Sequence, residues 1–149
     1  MQDQLMQERT DLRNKLDNLP YEWEDAKREL LRLKMVESAA ENDLEAADQA
    51  LINANGGMKG LGSNDTERKA SLIALRGISA SYQAARKMLI AAQIDRQAQE
   101  VTVERLEKTL SAVGYQSRLL AGLLAYLGSA GVPVMLPEGE EVALNGFGI

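Results

Sequence analysis

Along residues 82–127 the chain repeats at alternating spacings of three and four, through Tyr82, Ala85, Leu89, Ala92, Arg96, Gln99, Val103, Leu106, Leu110, Val113, Ser117, Leu120, Leu124 and Leu127. Eleven of these fourteen positions are apolar or aromatic. A seam that recurs every seven residues predicts a long helix packed on other helices by knobs into holes. A second frame places Leu5, Leu12, Leu19, Ala26, Leu33, Ala40, Ala47 and Ala54 on one line and Leu16, Trp23, Leu30, Leu44 and Leu51 on its companion. Arg9 and Glu37 are its polar interruptions. The two frames predict an all-α chain: a long antiparallel helical hairpin, or coiled coil, over residues 1–128 with its turn at residues 53–64.

Where the pattern is punctuated, helix boundaries are expected. Pro20 removes a backbone donor and clashes with the preceding turn, although the frame passes it without a slip. It either opens a fresh helix or kinks one long helix that keeps its seam; the restriction on the residue before proline favours a break at Asn18–Pro20. The alanines from Ala39 to Ala54 narrow the seam and suit close antiparallel packing. Asn53, Asn55, Gly56 and Gly57 end that helix near Asn53. Lys59-Gly60 stands in the wrong order for a phosphate-cradling loop and follows no strand, so the glycines read as a flexible turn. Asn64 with Glu67 three positions on forms a capping box that opens a short helix over residues 65–75. Gly77 interrupts it, and Ser79 or Ser81 caps the long helix that follows. Gly114 and Gly122 mark a close approach of another backbone or a bend, and Gly128 is the expected terminator.

The apolar run from Leu119 to Leu127 is greasy almost all round, which predicts burial between subunits. Leu106, Leu110, Leu120, Leu124, Leu127 and Phe147 are the candidate oligomer contacts. Residues 129–149 change character: two apolar runs flank Pro137, Glu138 and Gly139, a short β-hairpin-like tail too small to be stable unless docked.

Composition narrows the chemistry. Aromatic residues make up 4% of the chain, and cysteine and histidine are absent. Disulfides, thiolate metal sites and the commonest general base are therefore excluded, and no enzyme, cofactor or metal site is expected. No stretch approaches the ~18 apolar residues of a membrane span, and the polar N-terminus predicts no export signal, so a cytoplasmic protein is expected, in the host cell if phage-encoded.

Charge is unevenly spread. Residues 1–54 hold seven basic and thirteen acidic side chains, net −6; residues 55–128 hold ten and six, net +4; the tail adds −3. The asymmetry fits an acidic helix lying against a basic one. It also offers Lys59, Arg68, Lys69, Arg76, Arg86 and Lys87 as candidate nucleic-acid contacts, with Tyr82 the one aromatic among them. Glu37 is expected to form a polar layer that fixes helix register.

The order of long helix, glycine-rich loop, capped Arg-containing helix and second long helix with Leu106, Leu110, Gly114-Tyr115 and Arg118 resembles phage recombination mediators of the UvsY type. It is also similar to small helical proteins of phage recombination and replication clusters that carry Gly-x-Asn-x-x-x-Arg, here Gly62, Asn64 and Arg68. The resemblance implies an oligomer that holds single-stranded DNA and helps load a recombinase. One departure is that Asp43, Glu45 and Asp48 occupy the region where the mediators carry basic residues. Two functions follow: a non-enzymatic, oligomeric DNA-recombination accessory, or a structural or protein-interaction module, such as an assembly factor or an inhibitor of a host enzyme, in which the charges only pair helices.

Overall fold

The computed structural model describes residues 1–129; the hairpin-like tail and Phe147 lie outside them. The described residues are helical apart from short connections: α1 (Gln2–Ala54), α2 (Gly57–Gly60), α3 (Asp65–Ile78) and α4 (Ala80–Ser129). No strand is present among them.

The chain divides into two units, and α1 and α4 contribute to both. One contains residues 27–102: the second half of α1, the turn, α3 and the first part of α4. There Lys34 meets Glu100 at 4.0 Å and Glu37 meets Arg96, which sets this part of α1 antiparallel to α4. Ala40 and Ala92 are buried between them, and small residues at such positions let helix axes approach closely. The other unit contains residues 1–26 and α4 from Val103. Its buried residues are Ala26, Val113, Leu120 and Leu124.

All fourteen seam positions of α4 are buried or half-buried. So is every position of the α1 frame except Ala54 at the helix end. A seven-residue repeat thus found its cover in each unit.

Pro20 does not break α1, which runs on through it. Proline inside a helix costs about 3 kcal/mol. Leu16, Leu19 and Trp23 sit half-buried on the seam, with Pro20 half-buried beside them, and a turn there would rotate the following apolar positions out of the frame, so packing outweighs the local preference. Gly128 is helical and stands one residue before the last described residue of α4, Ser129. Among the described residues nothing lies within 4 Å of where a Cβ on Gly114 would sit.

The turn is tighter than a flexible loop. A Cβ on Gly60 would collide with the Asn55 carbonyl, and one on Gly62 would lie 2.6 Å from the Glu67 Cβ. Leu61 between them is buried, 5% exposed, and anchors the turn. Asn64 caps α3 as its spacing predicts, accepting from the Glu67 amide at 2.9 Å. Glu67 reaches one residue further back than a capping box requires, accepting from the amide (2.8 Å) and hydroxyl (2.6 Å) of Ser63. Gly77 stays helical, and the break falls at Ser79, whose backbone is extended. Its hydroxyl accepts from the Tyr82 amide at 3.2 Å and so caps α4.

Candidate functional site

The six candidate cations divide into two groups with different employment. Arg76 is held by Asp48 across the turn, Nε to Oδ1 and Nη2 to Oδ2, both at 2.6 Å. This two-pronged geometry suits a planar guanidinium, and the Asp48 hydrogen bonds, opposed by partial burial, hold Arg76 above its ordinary pKa. The guanidinium also lies 5.5 Å from the centre of the Tyr82 ring, and the Arg76 carbonyl accepts from the Gln83 side chain at 2.7 Å. Arg68 is occupied as well: Nε donates to the Gly62 carbonyl at 3.1 Å and Nη1 lies 3.4 Å from Asp65. Both arginines tie α3 and the turn to their surroundings. Lys59, Lys69, Arg86 and Lys87 are exposed.

Asp48, one of the acids near the end of α1, is thus the partner of Arg76. The sequence separation of 28 between the two hid that pair from a reading of local spacing.

A second charged cluster occupies the α1–α4 seam. Arg96 pairs with Glu37 and, at 2.8 Å, with Glu100 one turn along α4. The Glu100 and Glu37 side chains hold the guanidinium above its ordinary pKa. Glu37 and Arg96 side chains are only 14% and 20% exposed, so this is the polar layer expected of Glu37, with its partner now identified. Among the described residues no group of three or more carboxylates is placed to hold a metal ion. No described helix is long and apolar enough to cross a membrane.

Five of the candidate oligomer contacts lie among the described residues. Leu120 and Leu124 are 8% and 2% exposed within the single chain, and Leu106, Leu110 and Leu127 are half-buried. They belong to the inward seam, and Leu120 lines a groove of about 520 Å³ together with Leu5 and Leu12 of α1. The seven-residue repeat announces that a helix will cover these leucines; it does not say that the helix belongs to the same chain.

What stands open is the other side of α4. Ala84, Lys87, Ala91, Ile94, Ala98 and Val101 repeat at the same alternating spacings, displaced two positions from the inward seam, and all six are exposed. Ile94 is 59% and Val101 65% exposed, with Met88 and Ile90 beside them. In the other unit Tyr115, Leu119 and Tyr126 continue the spacing, also exposed. The signal for this face was present in the sequence, masked by the stronger seam that shares the helix.

No family model matches the chain, nor does any curated protein or solved structure.

Proposed function

We propose that the protein is a non-enzymatic helical interaction module that works by docking other helices on the outward face of α4. One observation carries the reading: every position of the inward seam is buried or half-buried while a second heptad-spaced apolar line on the same helix faces water. Alanine on an exposed helix needs no explanation beyond its high helix propensity. Isoleucine and valine are different. Their branched Cβ lowers helix propensity, so Ile90, Ile94 and Val101 gain nothing from exposed helical positions and gain much from being covered.

The alternative, an accessory that holds single-stranded DNA for a recombinase, is weakened because Arg68 and Arg76 serve the turn and α3. It would lean on Lys59, Lys69, Arg86 and Lys87.

The chain has no cysteine, so a single Ile94→Cys change supplies a unique probe. Its thiol should be alkylated rapidly in dilute purified protein and several-fold more slowly in cells that make the protein. Equal rates would refute docking on this face. Tight, steeply salt-dependent binding of a labelled single-stranded oligonucleotide, lost when the four exposed cations become alanine, would return the function to nucleic acid.

A further inference from the structure

On the strength of the docking reading above, we infer that the partner on α4 between Ala84 and Val101 is a second copy of this chain, packed antiparallel about a two-fold axis between Ala91 and Ile94. The six positions of the outward line alternate small and large: Ala84, Lys87, Ala91, Ile94, Ala98, Val101. In antiparallel helix pairing each layer sets one line of the seam against the other line of the partner. With the axis placed there, Ala84 faces Val101, Lys87 faces Ala98 and Ala91 faces Ile94 of the second copy. Every layer then joins an alanine to a larger side chain, and the repeats above and below the axis are identical by symmetry.

Charge agrees with size. Lys87, facing Ala98 of the second copy, comes within one helical turn of that copy's Asp95, and symmetry makes the pair twice. Parallel pairing would instead set Lys87 against Lys87 and alanine against alanine, combining like-charge repulsion with unfilled space.

Neighbouring antiparallel registers fail for separate reasons. Sliding by one heptad in one direction sets Lys87 against Arg105. Sliding the other way carries Val101 past Ala80, where α4 begins and the chain turns away at Ser79. One register remains. It engages about 27 Å of helix, a short contact against the ~800 Å² per partner of a standard interface, so the association is reversible and concentration-dependent.

The absence of cysteine makes the register testable. Ala91→Cys and Ile94→Cys chains are prepared separately, each at an exposed position that leaves the inward seam intact. Under mild oxidation, a mixture of the two should form disulfide-linked pairs several-fold faster than either variant alone. Sedimentation of the wild type should show mass rising from monomer to dimer with concentration. Lys87→Glu should hold the chain monomeric, and adding Asp95→Lys should restore the dimer. Self-linking of Ala91→Cys that equals or exceeds the mixed product overturns the antiparallel register, and a wild type that stays monomeric overturns self-pairing. If either result coincides with slow alkylation of Ile94→Cys in cells, the docking face stands and only its occupant is wrong. If alkylation there is fast, the docking reading falls with it.

Discussion

Two adjacent leucines near the end of α4 separate burial within one chain from burial between chains. Leu124 is 2% exposed and Leu123 is 44% exposed. Leu124→Ala removes roughly three methylene equivalents from a nearly fully buried site, at about 0.8 kcal/mol each. The space left behind adds a cavity cost, which brings the loss to about 3 kcal/mol. For a chain of this size each kcal/mol moves the melting temperature by about 2–4 °C, so a fall of about 6–12 °C is expected. Leu123→Ala removes the same atoms from a side chain already nearly half in water, and the loss should stay near 1 kcal/mol or below. Far-ultraviolet circular dichroism on heating both variants measures the contrast. The Leu124→Ala loss should not depend on protein concentration, because the burial lies inside one chain. Equal shifts for the two variants, or a Leu124→Ala deficit that disappears at high concentration, would refute the assignment and return Leu124 to an interface between subunits.

Three further outcomes are expected. Glu37→Arg and Arg96→Glu should each lower the melting temperature, and the two together should recover most of the loss, since the ion pair is re-formed in reverse; strictly additive losses would show that the polar layer does not couple the helices. The Ser63 hydroxyl and amide hold the Glu67 carboxyl below its ordinary value of 4.5, so its contribution is complete above that value and is lost as pH falls through the lower folded-state value. Glu67→Gln should therefore flatten the acid side of the stability profile, and a profile identical to the wild type would contradict the cap. Replacing Arg68, Lys69 and Arg76 together by alanine should loosen α3 and lower the melting temperature, read by circular dichroism, while any weak affinity for a single-stranded oligonucleotide changes little; a large affinity loss with unchanged stability would contradict the structural role of the arginines.

How far the sequence could be read depended on the range of the interaction behind each feature. The two seams, the Asn64 cap and the Ser79 restart were legible because each rests on spacings within a few turns of one helix. Pro20 was misjudged because a local preference was weighed without the burial of Leu16, Leu19 and Trp23 on the seam that α1 keeps through that point. Leu120 and Leu124 read as candidates for a subunit interface because an apolar seam states only that cover is needed, and in the structure they are 8% and 2% exposed within the single chain. The Arg76–Asp48 clamp was invisible for a third reason: charge counts show that a cation exists, while its employment depends on which helix folds back beside it.

A stretch with a net charge of +4 invites a nucleic-acid reading, yet Arg76 and Arg96 are paired with Asp48 and Glu37 of the acidic α1. Much of the positive excess is therefore neutralised within the chain. The helices also differ in their outward faces. Along α1 the outward positions carry Asp17, Glu24, Asp25, Arg28, Arg32 and Glu45, a solvated surface interrupted by Tyr21, Leu31 and Met35. Along α4 between Ala84 and Val101 they carry alanine, isoleucine and valine at heptad spacing, with Lys87 the one charge on the line. A helix that merely closed a hairpin would need one apolar face, as α1 has. Ile94 and Val101 on the second line of α4 carry low helix propensity without stabilising the single chain, and a covering helix is what converts that cost into stability.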